Sequence, residues 1–178
     1  NTLHEANRLN TLCNNILLAA QLDGGAYKAT KYEINFSDLV EGCIDDFIGR
    51  YPSRKIEANI IEQIYIMGEE LLLQMLVNNL IENALKYSPK ESGIKIVLQQ
   101  NATIIVLQVI DKGIGITDEE KKKIFEKFYR TGNENTRTTK GTGLGLYLCK
   151  KIMQGHNGYI TMTDNTPQGS IFAANFSV

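Results

Sequence analysis

The sequence predicts an α+β fold, a two-layer sandwich of helices on a sheet. Helix-like and strand-like apolar patterns are mixed along the chain. The two longest strand-like runs, Ile94 to Gln99 and Thr103 to Asp111, are sequence neighbours joined by Asn101-Ala102, which reads as a hairpin. Neighbouring strands of this kind favour a sandwich over a doubly wound parallel sheet.

The elements follow in order. From about Asn1 to Leu22, Leu9, Leu12, Cys13, Ile16, Leu17 and Ala20 fall at helical spacing, and Asp23-Gly24-Gly25 ends the run. So narrow an apolar seam suits a helix packed on other helices. "KYEINF" alternates like a strand, and Ser37 is expected to cap a helix reaching about Tyr51, ahead of Pro52. Two short β-rich runs, Ile56 to Ile60 and Ile64 to Met67, precede a helix from about Glu69 to Tyr87. Beyond the hairpin come a glycine loop, a short helix from about Asp118 to Phe125, a polar segment and a second glycine loop. A helix from about Leu144 to Gln154 and a strand pair, Tyr159 to Thr163 and Ser170 to Phe176, close the chain.

Composition narrows the function classes. The 178 residues suffice for one domain with a real core plus a short extra element, and 43% hydrophobic with 22% charged is an ordinary soluble balance. A net charge of −1 gives no general field to hold a phosphodiester backbone or an anionic membrane surface, so neither nucleic acid nor direct membrane contact is expected. Any anion site must be built locally. The three cysteines, Cys13, Cys43 and Cys149, lie far apart in apolar helical patterns and read as reduced, buried thiols. No apolar run approaches the ~18 residues of a membrane span. The chain does not start with methionine and is expected to be a piece of a longer protein.

Three stretches carry chemistry. In "NNLIENALKYS", Asn79, Asn83 and Lys86 fall within ~60° of one another at ~100° per residue. They run along one flank of the apolar stripe Leu73, Leu76, Val77, Leu80 and Ala84, and so look out from the edge of a core. "DKGIGI", Asp111 to Ile116, follows a strand directly: it is either a strand-ending turn or a loop where glycine lets a flat ligand approach and a carboxylate accepts from an exocyclic amine. "GTGLGLYLCKK", Gly141 to Lys151, places Gly141, Gly143 and Gly145 before an apolar helix, as a phosphate-binding helix N-terminus or a flexible hinge. It is neither a dinucleotide fingerprint nor a Walker loop. Between the loops, Phe125 and Phe128 each read first as core, and the polar residues from Thr131 to Lys140 form a candidate lid.

Taken in order, N-L-I-E-N-A-L-K-Y-S, D-x-G-x-G, F-x-x-F-Y-R and G-T-G-L-G-L resemble the N, G1, F and G2 boxes of the ATP-binding catalytic domain of sensor histidine kinases, over about Lys31 to Val178. The resemblance implies the Bergerat-type α+β sandwich, with a mixed, mostly antiparallel sheet covered by helices on one face, and ATP and Mg²⁺ as cofactors. It implies Asn79 and Asn83 at the metal and phosphates, with Lys86 on the phosphates and Tyr87 and Tyr129 near the nucleotide. Asp111 would take the adenine amine, Gly113 and Gly115 would let the base approach, and Arg130 would reach the terminal phosphates. Gly141, Thr142, Gly143, Leu144, Gly145 and Leu146 would cradle the phosphate chain, and Asn79, Lys86 and Arg130 form the implied catalytic set. In the water-using ATPases of this fold a glutamate stands where this chain has Asn79; a carboxamide cannot serve as general base, which favours a kinase.

The resemblance also sets expectations about the whole protein. Residues 1–24 would be part of the second helix of a dimerisation and phosphotransfer hairpin, and 25–178 the catalytic domain. The acceptor histidine would lie on a missing upstream helix, since "HEANRL" lacks the family's Leu-Arg/Lys-Thr-Pro continuation and His4 reads as a surface or packing residue. His156 reads as a helix cap, and Glu119 to Lys123 as a solvated helix face with i, i+4 pairing. The implied partners are that upstream helix, a response-regulator receiver domain and a second copy in the full-length protein. The implied setting is the cytoplasmic region of a membrane-anchored sensor. Two alternatives stand beside this reading: a serine/threonine kinase of the same fold, and a non-catalytic nucleotide-binding module.

Overall fold

The computed structural model describes residues 2–131 and 141–178. Its elements are α1 (Thr2–Asp23), β1 (Tyr32–Asn35), α2 (Phe36–Arg50), β2 (Ile56–Ile60), β3 (Tyr65–Gly68), α3 (Glu70–Tyr87), β4 (Ile94–Gln100), β5 (Ile104–Ile110), α4 (Asp118–Lys121), α5 (Gly145–Gly155), β6 (Gly158–Asp164) and β7 (Ser170–Ser177). A five-stranded sheet runs β2-β4-β5-β7-β6, and β1 and β3 form a separate antiparallel ribbon. The β2–β4 pair is parallel and the other three pairs are antiparallel, which is the mixed sheet expected.

One face of the sheet is dry because its strands alternate. Ile94, Ile96 and Leu98 of β4, Ile105, Leu107 and Val109 of β5, and Phe172, Ala174 and Phe176 of β7 are all buried. Against them lie α2, α3 and α5. The stripe read from the sequence, Leu73, Leu76, Val77, Leu80 and Ala84, is the buried face of α3. Each such side chain contributes roughly 1.5–3 kcal/mol of transfer free energy, which anchors α3 and fixes which way its polar flank points. The β4–β5 hairpin is closed by Asn101, whose Oδ1 accepts from the N–H groups of Thr103 and Ile104, both at 3.0 Å.

Several expectations are corrected. Asn35, not Ser37, caps α2, its side chain accepting from the Asp38 N–H at 3.3 Å. Ser37 is buried instead, donating to the Ile61 carbonyl at 2.7 Å and accepting from the Ile64 N–H at 3.0 Å, so it pins the link between β2 and β3. The helix expected to reach Phe125 stops at Lys121, with Thr117 and Glu120 forming a reciprocal capping box. Phe125 does pack on the core, edge-on to Phe172, but Phe128 is 56% exposed. Cys43 and Cys149 are buried thiols and Cys13 is exposed on α1. Burial pushes the Cys43 thiol up to about 11. The α4 charge run pairs at i, i+3, Lys121 with Asp118, and Lys121 also reaches Asp164. No helix among the described residues is long and apolar enough to cross a membrane.

His156 is the helix cap expected, and a tertiary one. It follows α5, faces the Ile152 carbonyl through Nδ1 at 2.7 Å, and accepts the Glu69 N–H on Nε2 at 3.2 Å. Those contacts require the neutral ring with its proton on Nδ1. Burial, the largest influence, lowers its pKa; the Ile152 carbonyl opposes this, nearby Lys31 adds to it and Glu69 opposes it. A base whose folded pKa is depressed binds fewer protons than the unfolded chain, so its contribution is intact above the unfolded value and declines as the pH falls through it. The thermal midpoint is expected to drop between pH 7.5 and 5.5. His156→Gln is expected to lower stability at pH 7.5 by about 1–3 kcal/mol through lost buried hydrogen bonds and to flatten that pH dependence. A variant whose pH profile matches the wild type would show that the acid loss arises elsewhere.

Candidate nucleotide site

The flank of α3 is held by the buried stripe beside it. Asn79, Asn83 and Lys86 are all half-buried along that flank, as the helical spacing requires. Asn79 donates from Nδ2 to the Met75 carbonyl at 3.0 Å, which turns Oδ1 outward. That oxygen faces the second glycine loop: a Cβ at Gly145 would lie 2.9 Å from it. Seven residues along α3, the Lys86 ammonium would lie 2.5 Å from a Cβ at Gly141, and it sits 4.9 Å from the centroid of the Tyr87 ring. No carboxylate pairs with Lys86 among the described residues. Asn83 lies between the two on the same flank.

The loop opposite is built to present backbone amides. Gly145 opens α5, the cap residue Leu144 offers no side-chain acceptor, and the first turn has no acidic residue. Thr142 Oγ1 accepts the Leu144 N–H at 3.3 Å. Among the described residues no side chain accepts from the amides of Gly145, Leu146 or Tyr147, and a helix N-terminus of this kind carries partial positive charge. Gly143 has φ +74°, and a Cβ there would sit 2.7 Å from the Phe128 carbonyl carbon, so only glycine fits. Its own carbonyl accepts the Phe128 N–H at 3.0 Å, tying the loop to Phe128, Tyr129 and Arg130. Tyr129 packs on the core and Arg130 is partly exposed beside it. Leu144 is fully buried and Leu146 packs against the core, so these two anchor the loop from beneath.

The first glycine loop meets the C-terminal end of α3, beside Lys86. A Cβ at Gly113 would lie 2.5 Å from the Tyr87 carbonyl oxygen, so "DKGIGI" lies directly on the helix terminus. Asp111 is 4% exposed. Its Oδ1 accepts from the Gly113 N–H at 2.7 Å and the Ser170 N–H at 3.3 Å, and among the described residues none bonds Oδ2. Burial raises the carboxyl above its usual range, against the two amide bonds that favour its charged form.

Three supports of Asp111 escaped the sequence reading. Asn165 donates to the Asp111 carbonyl at 2.8 Å, and Ser170 accepts the Asp111 N–H on its carbonyl at 2.9 Å while its own N–H donates to the Asp111 carboxylate. Gly169 has φ +117°, and a Cβ there would collide with the Asp111 carbonyl oxygen. The turn-rich run "NTPQGS" was the only local hint. Residues 132–140, most of the expected lid, lie outside those described.

Asn79 and Lys86 of α3 thus stand against the second glycine loop, and the first glycine loop lies on the C-terminal end of the same helix.

The chain matches the family described as histidine kinase-, DNA gyrase B-, and HSP90-like ATPase over residues 68–178. It is 36% identical over 154 residues to the sensor protein kinase PmrB of Pseudomonas aeruginosa, covering 86% of this chain and 32% of that one. The chain therefore spans about a third of that relative's length. The catalytic domain of histidine kinase ThkA superposes with a TM-score of 0.72 at 26% identity, covering 83% of this chain and 97% of that domain. The Acinetobacter baumannii histidine kinase AdeS superposes with a TM-score of 0.79 at 22% identity, covering 98% of this chain and 81% of that one.

Asp111→Asn tests the first loop in two opposed ways. A raised folded pKa means the carboxylate costs stability at neutral pH, fully so above that pKa, and an amide removes the charge. The variant is expected to melt higher than the wild type at pH 7. Its adenine-nucleotide affinity is expected to fall by about 1.5–3 kcal/mol, because a charge-assisted bond to an amine is lost. Calorimetry showing unchanged affinity would reduce this loop to a turn.

Proposed function

The chain belongs to the histidine kinase-, DNA gyrase B-, and HSP90-like ATPase family, and from that premise we propose that it is the ATP-binding kinase core of a two-component sensor histidine kinase. It transfers the γ-phosphoryl group of Mg-ATP to a histidine on a helix upstream of this chain, for relay to an aspartate of a receiver domain. Residues 1–24 are then the end of the dimerisation hairpin and 25–178 the catalytic domain. The parent protein acts as a homodimer, with this region on the cytoplasmic side of an anchored sensor.

One observation carries the kinase reading over the hydrolytic one. Asn79 is the residue whose oxygen faces the N-terminus of α5, and its Nδ2 is committed to the Met75 carbonyl. A carboxamide has no basic lone pair with which to activate water. The γ-phosphoryl group is thereby kept for a nucleophile brought from outside the cleft.

The residues present fit the nucleotide and its metal. The carboxamide oxygens of Asn79 and Asn83 are hard, neutral ligands of the kind magnesium accepts alongside phosphate oxygens and water. When bound, the ion supplies charge neutralisation to the phosphate chain. The protein's own part is positioning and electrostatics. Lys86 and Arg130 offset charge on the transferring group, and the amides of Gly141 to Leu146 hold the chain of phosphates. Gly113 and Gly115 admit the base to Asp111, with Tyr87 and Tyr129 flanking the nucleotide.

Incubated with radiolabelled Mg-ATP, this chain is expected to bind nucleotide and remain unlabelled, and to label an added hairpin domain at an acid-labile histidine. An acid-stable phosphoserine on a partner would select the serine kinase alternative, and binding with no transfer the non-catalytic one. Asn83→Ala is expected to keep the fold, since alanine favours a helix. Its ATP affinity in magnesium should fall to the value measured without magnesium, and transfer to the added domain should stop. Retention of both by the variant would make Asn83 a packing residue.

A further inference from the structure

The last residue of α1 is the centre of a polar joint. Asp23 Oδ1 accepts from the Tyr147 hydroxyl and lies 3.0 Å from Lys151 Nζ, while Oδ2 lies 2.9 Å from Lys127 Nζ. These three donors hold the carboxyl well below its usual range, the Tyr147 bond most of all. An exposed ion pair alone contributes little. Here one ordered carboxylate serves three partners, so the entropic cost of holding it is shared. The two ammonium groups also lie over the same Tyr147 ring, at 5.4 and 5.7 Å from its centroid. Without Asp23 two like charges beside that ring would be left uncompensated and repel.

Apolar packing at the joint is thin. Ala19 is fully buried and Leu18 packs on the core, but Leu9, Ile16 and Leu17 are exposed. Beside it lies a cavity of about 410 Å³, with Leu22, Tyr27, Leu72 and Ile152 in its wall. The polar contact is therefore a principal hold on the end of α1.

The donors are placed where they matter. Lys127 immediately precedes Phe128, which has φ +63° and donates to the Gly143 carbonyl. An aromatic residue in that conformation is strained and must be held by its surroundings. Tyr147 stands in the first turn of α5, two residues beyond Gly145, which faces Asn79. Lys127 thus adjoins Phe128, and Tyr147 adjoins the second glycine loop to which Phe128 is bonded.

We propose that Asp23 is a positioning residue: it sets the pose of α1 and, through Lys127 and Tyr147, holds Phe128 and the start of α5, which flank the second glycine loop, so that helix pose and the shape of that anion cradle change together. What the cradle binds rests on the function proposed above; the mechanical coupling does not.

The test uses the whole chain. Cys13 is exposed while Cys43 and Cys149 are buried, so a nitroxide on Cys13 and a second on Gln100→Cys report the pose of α1 by pulsed electron resonance. Asp23→Asn keeps the shape and removes the charge. It is expected to broaden the distance distribution and to speed amide exchange at Phe128 about 5-fold or more, with the β5 amides unchanged. Tyr147→Phe should act in the same direction, and the double variant should be no worse than Asp23→Asn, because both changes break one joint. Affinity for a magnesium-bound, non-hydrolysable ATP analogue should fall about 5-fold in Asp23→Asn. Unchanged Phe128 exchange, exchange raised equally in β5, or additive effects in the double variant would each overturn the coupling. A wild-type chain that binds no analogue would overturn the proposed function, while the distances and the Phe128 exchange would still decide the joint.

Discussion

At Gly145 a methyl group would meet the Asn79 carboxamide oxygen at 2.9 Å, and at Gly141 the Lys86 ammonium at 2.5 Å. The absence of those carbons lets the flank of α3 and the second glycine loop stand at contact distance. The approach is rigid on the α3 side, because the helix is seated by Leu73, Leu76, Val77 and Leu80, each with no exposed surface. On the loop side, Leu144 is equally buried and fixes the start of α5. Polar groups that would wander on a surface are aimed by the apolar residues next to them.

Asp111 shows the opposite economy. Placing a carboxylate where it is 4% exposed costs stability, and the Gly113 and Ser170 amides offset only part of that, since burial still raises its pKa. The structure invests further in this residue through Asn165 and the close approach of Gly169. A packed core has no use for such a group. Under the function proposed, a site that reads a flat amine does, because in low dielectric an acceptor with one oxygen unbonded among the described residues discriminates strongly between a ligand that can donate and one that cannot.

How much of this was legible in the sequence depended on range. The α3 stripe, the β4–β5 hairpin and the α5 helix follow from local periodicity, and each element appears within about two residues of its expected bounds, the usual uncertainty of a helix end. The flank of Asn79, Asn83 and Lys86 was legible for the same reason, because three residues on one helix need only the pitch. What failed was tertiary. Ser37 has a good capping side chain, but the chain crossing from β2 to β3 offers it two backbone partners, and burial there outweighs capping. Phe128 follows Phe125 at helical spacing, yet the helix has already ended at Lys121 and the backbone turns through a positive φ, so the spacing no longer means a shared face. Cys13 lies on a helix whose apolar seam is partly uncovered, so a place on that seam does not mean burial. Asn165, Gly169 and Ser170 reach Asp111 across more than fifty residues of chain.

The Asp23 joint belongs to that long-range class, and its chemistry suits the function proposed. A cleft that cannot activate water must receive its nucleophile from outside, so transfer depends on where the acceptor-bearing helices stand relative to the nucleotide. A hydrophobic seam could fix that pose, but releasing it would expose apolar area at roughly 25 cal/mol per Å², with no chemical group to sense the change. A carboxylate shared among Tyr147, Lys127 and Lys151 can be released into water, where each of its partners is solvated at little net cost. It breaks and re-forms without a large barrier in free energy. Because two of its partners flank the loop that faces Asn79, any force that reorients α1 is felt at the cradle, and any anion that reshapes the cradle is felt at α1.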